Sequence, residues 1–420
     1  MDNLSKSQIK KLGREIRRGL RISNIISEPN LNKLQLYRIS HQPALRDTFD
    51  FLVKKSRQYH KGSLVVYRLK RIDTIKRKIE RYSTMDLSLM QDVAGCRAIV
   101  DSETQILKIV NEFNKDSNFE IIDFDDYLTN PRETGYKSYH LIVKPKNYDK
   151  VVEVQLRTRI HHHWATLVEI TDLVFDVKLK EGQDHPDLFK FHKYLSKEKE
   201  NLSFEEREDI ISIERKHELI DKLITVFKSN YFLSVERWIK AIPENSKPEY
   251  LIMELDDNLS PNFSFFEDFV SAENKYFKKF NNMEPEMVLI HTNNLDFEKL
   301  DLAYSNYVLT SHPSIREYIK ILMLNIKEHK KRGNKNEFKL QLDYLNNIFK
   351  LIINSFVNEI NVIDDNSLGE GVNLSYDDLI NNWRESLSQR IKFILELEDQ
   401  FQIELKQIRK PNIFKKVFRI

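Results

Sequence analysis

Residues 134–145 read TGYKSYHLIVKP, and residues 150–158 read KVVEVQLRT. Apolar and polar side chains alternate through both runs, the period-2 signature of half-buried β-strands. Only a short turn-like segment separates them, so antiparallel neighbours are expected. In the second run Val152, Val154 and Leu156 share one face, and Glu153, Gln155 and Arg157 the other. In the first run Tyr136, Ser138 and His140 are expected together on one strand face, after a hinge at Gly135. Such a polar face is either solvated or a site. The identity of its groups (carboxylate, amide, guanidinium, phenol and imidazole) is what needs explaining.

Working outward, QDVAGCRAIV (91–100) places an acid, Asp92, before a glycine turn that delivers Arg97 onto a strand. Asp92 and Glu153 together suit magnesium, which is usually held by one or two carboxylates, with water and substrate phosphates completing its shell. With no basic partner nearby, their mutual repulsion would favour uptake of a proton or a metal. The span from Lys61 to Arg81 holds Lys61, Arg68, Lys70, Arg71, Lys76, Arg77, Lys78 and Arg81 against only Asp73 and Glu80. Read as one helix, it lets Lys70, Lys78 and Arg81 share a broad face. Separated cations match a polyphosphate, because each phosphoryl oxygen wants its own donor. The alternative is a solvated basic helix. An exposed Tyr136 ring could stack on a base, the alternative being an interface tyrosine. His140 could donate to a phosphate or hydroxyl.

Composition narrows the classes. A net charge of +3 over 420 residues does not describe a nucleic-acid coat, and one cysteine, Cys96, forms no internal disulfide. No apolar run approaches the roughly 20 residues that span a bilayer, and no charged-then-apolar leader opens the chain; a cytoplasmic protein without a membrane partner is expected. No GxxxxGK[ST] or GxGxxG loop, CxxC pair or GxSxG elbow occurs, so phosphates must be bound through side chains. Consecutive His161, His162 and His163 would point about 100° apart on a helix and chelate one ion poorly.

The expected fold class is α+β: a small mixed sheet flanked by helices, followed by a mainly helical region with a short α+β element. Residues 5–22 predict a helix with Ile9, Leu12, Ile16 and Leu20 on one face and Lys10, Lys11, Arg14, Arg17, Arg18 and Arg21 crowding the other. Helix is also predicted at 43–59, 71–82, 104–115, from 161 onward, at 265–280, 313–332, 335–361 and 376–409. Strands are predicted at 249–255 and 286–292. NVIDDNSLGEGVN (361–373) reads as a surface linker, and KPNIFKKVFRI as a basic tail. The expected domains are an N-terminal helical segment (1–60), a catalytic domain (61–197), a helical connector (198–245) and a mainly helical C-terminal region (246–420).

Placed in order, these pieces resemble the synthetase domain of the RelA/SpoT family, which makes guanosine tetra- and pentaphosphate alarmones. The carrying residues are Arg68, Lys70, Thr74-Ile75, Lys78 and Arg81; Asp92, Gly95 and Arg97; Gly135-Tyr136-Lys137-Ser138-Tyr139-His140; and Glu153, Gln155, Arg157 and Thr158. The resemblance covers about residues 40–175, less than half the chain. The resemblance implies a nucleotidyltransferase-like fold and magnesium-dependent transfer of the ATP β,γ-pyrophosphate to the ribose 3′-hydroxyl of GDP or GTP. It implies Asp92 and Glu153 as catalytic and metal-binding acids, and Arg68, Lys70, Lys78, Arg81 and Arg97 as the ATP-binding cations. Tyr136, Lys137, His140, Gln155 and Arg157 match the acceptor side. Lys137 stands where arginine is usual and loses the bidentate fork; Thr134 replaces a common Asn. No His-Asp pair suggests a hydrolase, and the second half is unlike the regulatory domains of the long family members. Some toxic small members modify the tRNA 3′ end instead, which the basic first helix keeps open, as does a catalytically silent nucleotide sensor. Expected partners are ATP and GDP or GTP. tRNA, an antitoxin or regulatory protein at the C-terminal region, and a second copy of the chain stay open.

Overall fold

The two runs that open the sequence reading are neighbouring antiparallel strands, with Tyr139 opposite Leu156 and His140 opposite Gln155. The computed structural model describes residues 4–82, 84–179, 185–223, 237–238, 241, 248–255, 261–280, 287–291, 313–367 and 374–408. It divides into two compact units, one of Met1–Arg132, Tyr136–His162 and Arg237–Tyr304, the other of Glu133–Gly135, His163–Glu236 and Ser305–Ile420.

The first unit holds an eight-stranded mixed sheet in the order β3-β4-β5-β2-β1-β8-β6-β7. The strands are β1 (Leu64–Leu69), β2 (Ala94–Val100), β3 (Phe119–Asp126), β4 (Tyr139–Pro145), β5 (Val152–Thr158), β6 (Tyr250–Leu255), β7 (Pro261–Phe266) and β8 (Met287–His291). β2 and β5 run parallel, with Gly95 opposite Glu153 and Arg97 opposite Gln155; the remaining pairs are antiparallel. The α+β expectation therefore holds.

Among the described residues, five helices precede or interleave β1–β3: α1 (Lys6–Ser23), α2 (Glu28–Ile39), α3 (Gln42–Tyr59), α4 (Ile72–Arg81) and α5 (Glu103–Lys115). Another, α6 (Arg159–Phe175), follows β5. Serine starts both α1 and α5 through a capping box, Ser5 with Gln8 and Ser102 with Gln105, satisfying N–H groups that a helix end leaves open. Val152, Val154 and Leu156, with Ala94, Cys96 and Ala98, turn one sheet face into an apolar core. Phe49 and Leu52 of α3 and Ile106, Ile109 and Phe113 of α5 cover it. Ile9, Leu12, Ile16 and Leu20 of α1 meet Ile75 and Ile79 of α4 in a separate cluster. The opposite sheet face keeps its polar groups.

Several local expectations change. The strand at 249–255 and the one at 286–292 do not form a separate element: β8 pairs with β1, placing Tyr67 opposite Leu289, and extends the same sheet. Phe265 and Phe266 end a strand instead of opening a helix, so the helix α7 starts at Phe269 (Phe269–Phe280); aromatic residues favour the pleated, half-buried surface that β6 offers. Lys70 is not on the helix that carries Lys78 and Arg81. It follows β1, because Ile72 is the first helical residue. Tyr136 and Ser138 precede β4, which starts at Tyr139. α2 has no counterpart among the predicted helices.

In the second unit, helices Pro186–Leu195, Phe204–His217, Pro313–Arg332, Lys335–Ser367 and Leu374–Gln407 predominate. Residues 361–367 of the expected linker continue a helix, since each Asn or Asp costs a formed helix only a few tenths of a kcal/mol (about 0.7 at most). Residues 368–373 and the basic tail lie outside the described residues. Glu214 is wholly buried in this unit, accepting from Tyr318 Oη at 3.2 Å, and burial pushes its carboxyl up. Among the described residues no helix is long and apolar enough to cross a membrane.

Candidate active site

Strand register gathers the polar residues without help from any loop. Arg68 stands opposite Gly95, Gly95 opposite Glu153, and Glu153 opposite Ile142. One step along, Arg97 stands opposite Gln155, Gln155 opposite His140, and His140 opposite Asp125. Directly paired residues share a face, so Arg68, Arg97, Glu153, Gln155, Arg157 and His140 come together on the side away from the apolar core. Gly95 leaves the space beside Glu153 open: a Cβ there would sit 3.9 Å from Glu153 Oε2.

A closed hydrogen-bond circuit joins most of them. His140 Nδ1 lies 3.3 Å from Glu153 Oε1, and Gln155 Nε2 donates to Glu153 Oε2 at 2.9 Å. Arg97 Nε and Arg157 Nη2 both donate to Gln155 Oε1 at 3.3 Å. Arg157 Nη2 also donates to the Tyr136 oxygen at 2.8 Å, and that oxygen lies 2.8 Å from His140 Nε2. Burial would push the Glu153 carboxyl up, but the hydrogen bond and charge of His140, with Arg68 and Lys70, outweigh it and bring it down to about 2. Burial opposes ionisation of Tyr136 as well, yet the charges of Arg157 and His140 bring its phenol to about 7. Burial lowers His140, while Glu153 and an ionised Tyr136 raise it on balance.

Asp92 forms the second centre. Its Oδ2 takes Lys70 Nζ at 2.7 Å and Lys78 Nζ at 2.8 Å. Burial alone would raise this carboxyl; the two ammonium charges hold it below its ordinary value. The expectation that Asp92 and Glu153 stand without basic partners is therefore wrong. Each is held by cations, because burying a carboxylate unpaired costs more than this sheet face can supply. The two acids do line one cavity of about 250 Å³, with Lys78, Met90, Asp123, Asp125 and His140.

Magnesium can be tested against these atoms. Asp92 Oδ1 is buried and accepts no hydrogen bond, so one carboxylate oxygen is left over beside that cavity. Among the described residues no group of three or more His, Cys, Asp and Glu side chains is arranged to hold a metal. The donor set fits an ion that takes two protein carboxylates and draws its other ligands from water and phosphate.

Not every expected residue joins this face. Arg81 is exposed at the end of α4, its guanidinium 5.3 Å from the Tyr82 ring centroid. Lys137 acts on His161, which burial and then the Lys137 charge push down to about 4. Tyr136 is half-buried, in place of the exposed ring expected: Tyr127 meets it edge-on at 5.7 Å, and the guanidinium groups of Arg157 and Arg132 lie 5.2 and 5.8 Å from its centroid. Arg132 and Tyr127, bonded to each other at 2.6 Å, do not stand out in the sequence, nor do Asp123 and Asp125. Acids on an edge strand read as ordinary solvated residues, and no short spacing links Tyr127 to the GYKSYH run.

Comparison with known proteins adds the family. Residues 67–173 match the model of the region found in RelA/SpoT proteins. The chain is 34% identical over 113 residues to GTP pyrophosphokinase YjbM of Bacillus subtilis, covering 24% of this chain and 53% of that protein. It is 33% identical over 100 residues to the GTP pyrophosphokinase of Haemophilus influenzae, covering 24% of this chain and 13% of that one. The chain thus spans about half the length, or less, of these relatives. Among solved structures, small alarmone synthetase 1 of Bacillus subtilis, bound to its product pppGpp, aligns at a TM-score of 0.35 and 22% identity, over 39% of this chain and 89% of that one. Residues 67–173 belong to the RelA/SpoT family and are homologous to the corresponding region of GTP pyrophosphokinases, with the rest of the chain additional to it.

Proposed function

We propose that this chain is an ATP-dependent pyrophosphokinase that makes alarmone-type nucleotides from GDP or GTP. The observation that carries the reading is the cation-held acid pair, Asp92 and Glu153, lining one cavity beside the Arg97–Gln155–Arg157–Tyr136–His140 circuit. Arg68, Lys70, Lys78 and Arg97 take the ATP phosphates, with Arg81 at the outer end of the same basic segment. Tyr136 bears on the acceptor base, with Lys137, His140, Gln155 and Arg157 beside it. The acceptor 3′-oxygen attacks the β-phosphorus of ATP. The bond from that phosphorus to the α,β-bridging oxygen breaks, AMP leaves, and the hydroxyl proton passes to the Glu153 carboxylate. Asp92 and Glu153 would hold magnesium, whose charge neutralises the transferred phosphates. Phosphoryl-type transfer asks mainly for this positioning and neutralisation. Glu153 is a weak base while His140 and Lys70 hold it near 2; as those cations turn to the substrate phosphates, its proton affinity rises toward the working range.

A cytoplasmic location, homo-oligomerisation and recognition of a regulatory or antitoxin protein belong to the same proposal, the last assigned to the helices from Pro313 onward. In functional terms residues 61–197 supply the chemistry on a sheet that the strands and helix of 250–291 complete, 1–60 pack on them, and the helices from Pro313 onward serve control. A second reading, a tRNA 3′ end as acceptor, draws on the exposed Lys10, Lys11, Arg14, Arg18 and Arg21 of α1. The test is the purified full chain with ATP, magnesium and each of GDP, GTP and tRNA. AMP release with a 3′-pyrophosphorylated guanine nucleotide supports the first reading; modification of tRNA alone replaces it with the second. Nucleotide binding without magnesium-dependent transfer leaves a silent sensor.

A further inference from the structure

Three hydrogen bonds converge on the end of β1, and two of them involve residues outside the RelA/SpoT region, one before it and one after it. The Lys70 N–H donates to the Val93 carbonyl at 2.8 Å. Arg38 Nε donates to the Lys70 carbonyl, also at 2.8 Å, from a side chain that is itself buried. The Leu69 N–H donates to Tyr276 Oη at 3.1 Å. Alternation along a strand turns the Leu69 N–H away from β2, toward the side where β8 lies. The β1–β8 pairing covers Val65 to Tyr67 and has ended by Leu69. That buried donor would lack an acceptor without the Tyr276 phenol, and an unmet buried amide is costly.

Tyr276 is well suited to hold it. The residue is wholly buried on α7, and its ring meets Tyr67 edge-on at 5.5 Å. One helical turn earlier Glu273 is fixed by Tyr67 Oη at 2.9 Å and by an ion pair with Arg46. The next residue after the clamped amide, Lys70, carries the ammonium that meets Asp92. An error of about 1 Å in such a group costs on the order of a hundredfold in rate.

We propose that Tyr276 is a positioning residue for Lys70, with Arg38 holding the other side of the same peptide, so that the segment added after the family region is built into the nucleotide-binding face. The activity arm of the test rests on the pyrophosphokinase reading; the other arms do not. In the full chain, Tyr276→Phe keeps the ring and deletes the acceptor. Tyr67→Phe is the control: it deletes a hydrogen bond to Glu273 in the same core without touching Leu69. Amide exchange at Leu69, ATP affinity by calorimetry, and KM for ATP and for the acceptor are measured in both.

Tyr276→Phe should speed Leu69 exchange and raise the Kd and KM for ATP by about tenfold with the acceptor KM unchanged, the pattern of one lost binding interaction. Tyr67→Phe should lower the unfolding midpoint comparably and leave ATP alone. Equal ATP affinity in the two variants, or equal losses for ATP and acceptor in Tyr276→Phe, overturns the proposal. If the wild-type chain transfers no pyrophosphate to any acceptor, the pyrophosphokinase reading fails, and Leu69 exchange with ATP affinity still decides the role of Tyr276.

Discussion

Replacing Asp92 by Asn should destabilise the sheet as well as abolish transfer. Asp92 Oδ2 sits 2.7 Å from Lys70 Nζ and 2.8 Å from Lys78 Nζ, and the two lysine side chains are 17% and 29% exposed. An amide of the same shape leaves two half-buried ammonium groups facing one another with no counter-charge. Breaking a fully buried pair costs about 3–5 kcal/mol; with this much solvent access, about 2 kcal/mol is expected. Hydrogen exchange of β1 and β2 amides reads the opening of this sheet apart from the second unit. It should show that loss at pH 7, and adding Lys70→Met to the Asp92→Asn chain should return part of it. The sign with pH follows from the depressed carboxyl. Its contribution is present above the ordinary Asp value of 3.8 and lost as pH falls through the lower folded value, so the two proteins should converge in acid. An Asp92→Asn chain as stable as wild type at pH 7, or more stable, would refute the reasoning, because that is what two bare, mutually repelling acids predict.

Four further outcomes are expected. Absorbance near 295 nm should show one tyrosine ionising around pH 7, absent in Tyr136→Phe and shifted upward in Arg157→Gln; ordinary titration of every tyrosine would dissolve the proposed circuit. Tyr136→Ala should lower kcat/KM for the acceptor by tenfold or more, from roughly 1–3 kcal/mol of lost stacking, while Tyr136→Phe is mild. Joint neutralisation of the exposed Arg14, Arg18 and Arg21 should matter only with tRNA, and steeply with salt. Truncation after residue 200 removes β8 from the edge of β1 and Phe269, Tyr276 and Phe277 from the core. Such a chain should aggregate, and a soluble enzyme of unchanged rate would contradict the shared sheet.

Much of the site is legible because strands write their faces at period 2. Glu153, Gln155 and Arg157 can be assigned to one face from spacing alone, and the register then brings His140 and Arg97 beside them. Counter-ions are not legible. Lys70 and Asp92 lie far apart in sequence, and their contact depends on a turn that takes Lys70 out of helix α4. Sequence periodicity also mistakes the setting of Tyr136. A glycine at φ 93° precedes it, where any added side chain would collide with Ser196, so the hinge expected at Gly135 is present. What no pattern announces is that Arg157 reaches back 21 residues to hold the phenol.

The extension shows the same limit from the other side. EYLIMEL and EMVLIHT are visibly strands, but a strand's partner is set by which apolar face it completes, and two short runs complete their own hairpin as readily as a distant sheet. Here β1 offers Val65 to Tyr67 as an open edge, and β8 closes it. Once that pairing is made, α7 has only the apolar face to cover, and Tyr276 arrives within reach of a backbone amide 207 residues earlier. A hydrogen bond between a phenol and a peptide N–H carries no residue preference at the amide end, so neither Leu69 nor its neighbours could have marked the contact. The added segment reads as a separate element in the sequence for the same physical reason that it acts as part of the sheet in the fold. Its apolar residues are unsatisfied alone, and nothing local says where they will be satisfied.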